Sequence, residues 1–417
     1  MNQQEDMQEK SRRRRLGGWM PTSDGSVAVF RRDLASRARE RSAQVPLSSV
    51  VRDLAGLVNR DSLLRMHLTR AIDQALEQGH DLGYSTNDEL FHIIDYILTY
   101  APPFNAESPV MTPLNAVLEW LVCMPAGYHV FRDQVFNAQL RRVLGYWCSF
   151  LGGPHSRTHL REDDAEGWFS PEASKKIGLS QFVYLPQEPY GGFNSWNDFF
   201  TRRFKEEMRP VAEVNNQKVI VNACEASPFN VEEDVNLTDK FWLKGQPYSL
   251  IDILTEGEAD LAKRFIGGTV FQGYLSAFNY HRWHAPVAGR VTRAYNVDGT
   301  YYSVAEVQGE DPGGLNHSQG YTSAVAARAV IVIQCDDPAI GEVACVFVGM
   351  AEVSSCQINT RVGQQLKKGD EIGMFQYGGS TYCLLFRPGV VASFEPKPPY
   401  DDQVPPMKVN AVLATAR

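Results

Sequence analysis

The chain has 417 residues, 43% of them hydrophobic and 22% charged, and a net charge of −8 at pH 7. That length supports two or three domains with a sizeable core, and the acidic balance argues against nucleic acid or an anionic membrane surface as the main partner. Seven cysteines without paired ligand spacing predict reduced thiols in the cytoplasm, and no apolar run reaches the roughly 20 residues of a bilayer span, so no membrane anchor is expected.

Residues 1–25 form a polar leader with a basic cluster from Arg12 to Arg15, expected to be disordered and solvated. From 30 to 152 the apolar residues recur at helical spacing. Thr86 and Glu89 have capping-box spacing ahead of Leu90, Phe91, Ile93, Ile94, Ile97 and Leu98. Thr112 and Pro113 suit an N-cap and first helical position, with Leu114, Val117, Leu118, Leu121 and Val122 following. Val130, Phe131, Val135, Phe136, Leu140, Val143, Leu144 and Trp147 carry the stripe onward. These stripes read as core. Residues 152–190, rich in Gly, Pro, Asp and Glu, read as a connector. His155 and His159 have the i, i+4 spacing of a helical metal pair. Pro154 and its glycine neighbours oppose a helix there, and no third ligand accompanies them, so no metal is expected.

From 215 onward the period changes. Val219–Val221, Gly268–Phe271, Arg290–Thr292, Tyr302–Val304, Ala329–Ile333, Val343–Val348, Leu384–Phe386 and Val390–Ala392 are short β-rich runs. Turn signals such as Asp298-Gly299 and Lys368-Gly369-Asp370 separate them. The expectation is an α+β fold, with a helical domain and connector over 26–185 and a β-rich catalytic domain over 186–417.

Chemistry enters with Gly378-Gly379-Ser380-Thr381. A Gly–Ser bond breaks when the serine Oγ attacks the preceding carbonyl and forms an ester. Glycine suits the acyl side, because it lacks a Cβ and tolerates strained backbone angles. β-Elimination of the ester leaves dehydroalanine, which tautomerises and hydrolyses to a pyruvoyl group. The same four residues are also an ordinary turn composition, so their neighbours decide the reading.

Leu366–Phe375 leads into the tetrapeptide. Upstream lie Tyr280-His281-Arg282-Trp283-His284-Ala285-Pro286-Val287-Ala288-Gly289 and the block from Phe193 to Phe204. These blocks, in this order, resemble the phosphatidylserine decarboxylase family over roughly residues 190–417. Gly17-Gly18-Trp19-Met20-Pro21, Pro189–Ser195, Ala223-Cys224-Glu225 and Gly349–Ser354 are similar to its soluble fungal branch. That branch includes a tryptophan decarboxylase and acts on free amino acids, not phospholipids.

The resemblance implies cleavage between Gly379 and Ser380. Fragments 1–379 and 380–417 then stay associated, and Ser380 becomes a pyruvoyl cofactor that serves as electron sink in place of pyridoxal phosphate. The implied reaction is decarboxylation of a free aromatic L-amino acid, L-tryptophan to tryptamine and CO₂, in specialised metabolism. His284 is the implied base and His281 the implied proton-handling or carboxylate-contacting residue. Glu225 would orient an imidazole where the family carries Asp; Glu replaces Asp here, and Ala226 replaces the following Gly. Phe193, Trp196 and Trp283 either line an aromatic pocket or pack the core. Two alternatives stand: a phosphatidylserine decarboxylase making phosphatidylethanolamine, and a non-catalytic binding module, since Lys368–Gly373 resembles the turns of lipoyl- or biotinyl-carrier folds. Pyridoxal phosphate is disfavoured because no lysine directly follows a histidine. The oligomeric state stays open.

Overall fold

The computed structural model of the protein describes residues 20–21, 23–105, 110–163, 165–240, 248–306, 318–352, 355–377, 380–397 and 406–417. The leader up to Trp19, with Arg12 to Arg15, lies outside the described residues, as do Gly378 and Gly379. The chain is α+β and divides into two compact units. No described helix is long and apolar enough to cross a membrane.

The first unit takes in the described residues of Met1–Ser180, Tyr184–Phe199 and Thr300–His317. Its helices are α1 (Asp24–Ser42), α2 (Ser49–Arg60), α3 (Ser62–Glu77), α4 (Asn87–Ile97), α5 (Pro113–Cys123), α6 (Pro125–Arg132), α7 (Gln134–Leu151) and α8 (Pro171–Ile177). The caps follow from local chemistry. Thr86 Oγ1 accepts from Glu89 N at 3.2 Å, while the Glu89 carboxylate reaches Ser85 N at 2.8 Å, one residue earlier than the usual box. Pro113 opens α5, yet Thr112 makes no side-chain capping bond. The stripe from Val130 to Trp147 is broken at Asp133, whose carboxylate accepts from Phe136 N at 2.7 Å and starts a new helix.

The aromatic block Phe104, Trp168, Phe169, Trp196 and Phe199 packs mostly edge-on or tilted. Trp168 and Trp196 both donate to the Pro102 carbonyl, at 2.9 and 3.1 Å. Trp196 opens the short helix α9 (Trp196–Phe200). Tyr302–Val304, expected as a strand, is irregular and belongs to this helical unit. Tyr302 packs edge-on against Phe131, with centroids 6.4 Å apart, and Tyr301 N donates to Asn137 Oδ1. Packing against helices satisfies these aromatics, so their β propensity is overridden.

The second unit comprises Gln181–Val183, Phe200–Gly299 and the described residues of Ser318–Arg417. Its strands are β1 (Val219–Val221), β2 (Ser227–Glu233), β3 (Thr269–Leu275), β4 (Arg282–His284), β5 (Gly289–Val297), β6 (Arg328–Cys335), β7 (Glu342–Gly349), β8 (Ser355–Ile358), β9 (Gln365–Leu366), β10 (Glu371–Gln376), β11 (Ser380–Phe386), β12 (Val391–Phe394) and β13 (Val412–Ala416). Seven of them form an antiparallel sheet in the order β2-β3-β11-β7-β6-β5-β9; β4-β10-β8 and β1-β13-β12 form two smaller sheets. One face of the large sheet, with Phe271, Phe347, Tyr382 and Leu384, packs on residues of both small sheets, including Trp283, Phe375 and Leu413. The other face, with Val270, Val346, Cys383 and Leu385, is covered by the short helices α10 (Leu250–Leu254), α11 (Ala259–Ala262) and α12 (Gln319–Val325). Burial on both faces explains why β6 and β7 read as continuous apolar runs rather than alternating ones.

Candidate active site

Ser380 is the first residue of β11, a strand flanked on both sides. It pairs with Leu275 of β3 and Gly349 of β7. Alternation along the strand puts its side chain on the Tyr382 and Leu384 face, the side of the two small sheets. Ser380 is fully buried, and its Oγ has no hydrogen-bond partner among the described residues. An unpartnered hydroxyl in an apolar core is costly. Upstream, Tyr377 has a φ of 33°, rare for a residue with a side chain. Ser380 thus combines a buried, unengaged hydroxyl with a strained backbone three residues upstream.

His281 and His284 lie on and just before β4, which pairs with β10. His281 is fully buried, stacks on Phe200 with centroids 4.1 Å apart, and Phe200 in turn packs edge-on against Tyr377. Burial, reinforced by the positive charge of Arg202, holds its pKa well below the usual 6.5. His284 Nδ1 lies 2.7 Å from the Gly369 carbonyl and Nε2 lies 2.9 Å from the Tyr280 hydroxyl. A carbonyl only accepts, so Nδ1 carries the proton in the neutral ring and Nε2 is the basic nitrogen, with Tyr280 donating to it. Burial lowers the His284 pKa, while the Gly369 carbonyl and the Glu371 and Asp370 carboxylates act in the opposite direction. Neither histidine is hydrogen-bonded to Ser380 Oγ. Trp283 turns onto Phe347, stacked at 4.0 Å, so alternation turns its neighbour His284 to the other side of β4.

Among the described residues, Glu225 has no hydrogen bond to an imidazole. Its carboxylate takes Arg209 Nε at 3.0 Å and Arg209 Nη2 at 2.5 Å, and accepts from Val409 N at 2.9 Å. The group that fixes the His284 tautomer is instead the Gly369 carbonyl, in the turn before β10. Phe193 and Trp196 belong to the aromatic packing of the helical unit, and Trp283 to the core of the sheet unit. The sequence alone gives Tyr280 no role and Gly369 only that of a turn residue. A backbone acceptor leaves no trace in residue identity, and a tyrosine four residues before a histidine gains meaning only once the fold brings the two side chains together.

The Arg209–Glu225 pair is mostly buried, with side-chain exposures of 10% and 12%. Breaking such a pair strands a charge and costs about 3 kcal/mol or more. Glu225→Gln is therefore expected to lower stability by that order, measured by denaturant titration, with chain cleavage persisting in the cold. Unchanged stability with cleavage lost would instead restore the imidazole-orienting role.

A model of phosphatidylserine decarboxylases matches residues 196–404, and a second model of that description matches residues 48–177. The chain is 37% identical to Decarboxylase iboD of Amanita muscaria, over 73% of this chain and 91% of that protein. It is 31% identical to the L-tryptophan decarboxylase of Psilocybe cubensis, over 96% of this chain and 94% of the relative. It is 32% identical to the phosphatidylserine decarboxylase proenzyme of Chlamydia pneumoniae, over 67% and 87%. The chain belongs to the phosphatidylserine decarboxylase family. Its activity is accordingly that of a decarboxylase, a carboxy-lyase.

Proposed function

We propose that this chain is a pyruvoyl-dependent decarboxylase of a free aromatic L-amino acid, L-tryptophan first among them. Self-cleavage between Gly379 and Ser380 converts Ser380 to the cofactor. The observation that carries the reading is the buried Ser380 hydroxyl, which has no partner among the described residues and heads a flanked strand. The pyruvoyl group supplies an electron sink for the carbanion left by CO₂; all else falls to the chain's own residues. The role of base for the serine proton falls to His284 on the likeness of its sequence block to the family; in the uncut chain its Nε2 is engaged by the Tyr280 hydroxyl, so Nε2 and the serine hydroxyl must be brought together for cleavage. The His284 tautomer is preset by Gly369, and the Tyr280 hydroxyl, which already donates to Nε2, is the atom through which a proton can arrive. His281, neutral and buried, handles the proton or the carboxylate of the substrate. The apolar surroundings of this strand exclude water and strengthen each polar contact. Likeness to an L-tryptophan decarboxylase across 96% of the chain supports the substrate class. A cytoplasmic place in specialised metabolism accords with it.

The test offers the purified protein free L-tryptophan and, separately, phosphatidylserine in vesicles, with CO₂ release and amine product as readouts. Tryptamine from the free amino acid is expected. Activity confined to the vesicles would replace this reading with phosphatidylethanolamine synthesis.

A further inference from the structure

Beside Ser380, on the opposite face of the sheet, runs a chain of buried hydrogen bonds. Thr381 Oγ1 donates to the Gly273 carbonyl at 2.9 Å and accepts from Gln272 Nε2 at 3.0 Å. The same Gln272 nitrogen donates to the Gln319 carbonyl at 3.2 Å, and Gln272 Oε1 accepts from the Tyr248 hydroxyl at 2.6 Å. Tyr248 accepts from Asn230 Nδ2 at 3.3 Å. The Gln319 carbonyl can only accept, so the amide orientation of Gln272 is fixed, and with it the direction of each proton from Asn230 to Gly273.

Gln272 and Thr381 are fully buried, and Tyr248 nearly so, on a face otherwise made of Val270, Val346, Cys383 and Leu385. Apolar side chains of the same shape would hold such a core at least as well. What the polar ones add is a fixed position for residue 381. With Thr381 clamped to β3, alternation turns Ser380 to the other face and leaves its hydroxyl unengaged. Once the bond before Ser380 is cut, residue 380 becomes a chain end and loses its upstream tether. Its place then rests on the β ladder and on this clamp.

We propose that Gln272, with Tyr248 and Thr381, is a positioning device that holds residue 380 in reacting geometry during cleavage and in the mature enzyme. This rests on the reading of Ser380 as the cleaved residue. Gln272 acts through Thr381 and touches no reacting atom.

The experiment follows cleavage by intact mass after cell-free synthesis of five chains: wild type, Ser380→Ala, Thr381→Val, Thr381→Ser and Gln272→Met. Thr381→Val keeps the side-chain shape and removes only the hydroxyl; Thr381→Ser keeps the hydroxyl. Small misplacements of reacting groups are costly in rate, so Thr381→Val and Gln272→Met are expected to cleave roughly tenfold or more slowly. Thr381→Ser is expected within about twofold of wild type. Should Gln272→Met fail to fold, the two Thr381 variants carry the comparison alone. Wild-type rates in Thr381→Val, or equal slowing in Thr381→Val and Thr381→Ser, would overturn the positioning role while leaving Ser380 in place. An uncleaved wild type, or a cleaved Ser380→Ala, would instead overturn the reading of Ser380, and this inference with it.

Discussion

Ser380→Ala is expected to yield one unbroken chain and no detectable decarboxylation, where the wild type gives fragments 1–379 and 380–417. Without the hydroxyl there is no ester, no elimination and no cofactor. A rate enhancement of about 10⁶-fold or more then falls to the assay background. The substitution is also structurally mild. Ser380 Oγ has no hydrogen-bond partner among the described residues, so its removal breaks none of the hydrogen bonds described here. Burying an unsatisfied hydroxyl costs on the order of 1 kcal/mol or more, so the alanine chain should resist denaturant slightly better than an uncut serine chain. Two fragments from the alanine chain would end the assignment.

His284→Gln should have the second-largest effect, and on a different step from His281→Gln. Glutamine can still donate to the Gly369 carbonyl, but it cannot take a proton. Loss of a positioned base costs about 10²–10⁴-fold, so cleavage of His284→Gln should slow by that order. His281 is the poorer base of the two, because burial and the Arg202 charge both act against its protonated form. His281→Gln should therefore still give two fragments and lose turnover. The reverse pattern would exchange the two roles.

The pH dependence has a definite sign. The His284 pKa lies below the usual 6.5, so the neutral base persists where a free imidazole would be charged. Cleavage should stay flat as pH falls to 6.5 and decline only as it drops through the lower, folded-state value. By linkage, the same depression contributes stability that is fully present above the unfolded pKa and lost as pH falls through the folded one.

Much of the architecture was legible because the buried strands are extreme. Ala329–Ile333 and Val343–Val348 have no polar partner to alternate with, as befits strands covered on both faces. β2, with Asn230, Glu232 and Glu233, and the short β8 and β9 carry no such signature; their pairing partners make them strands. β10 starts directly after a stretch that reads as turn chemistry, Lys368-Gly369-Asp370. The helical stripe through Asp133 looked continuous because apolar spacing is blind to a cap. Of the candidate site, Ser380 and the two histidines were singled out through their sequence neighbours. Gln272 was not, although a lone glutamine in Thr-Val-Phe-Gln-Gly-Tyr-Leu is an oddity that deep burial turns into a question. Glu225 was singled out because the Ala223-Cys224-Glu225-Ala226 stretch resembles the family's acidic motif, and Arg209, sixteen residues before it, could claim it only once the chain had folded.

The place of β11 has one more consequence. Its two neighbours, β3 and β7, lie before position 379, and β13 pairs with β1. The proposed cut before Ser380 would thus turn one folded chain into a two-chain assembly whose small partner supplies an internal strand. The intact precursor refolds by a unimolecular search. The mature enzyme, once melted, must find its other half in solution, so its apparent melting temperature rises with protein concentration. With the proposed cut, maturation would set the order of events: the fold comes first and the cut second, and a diluted, unfolded mature enzyme would have no direct way back.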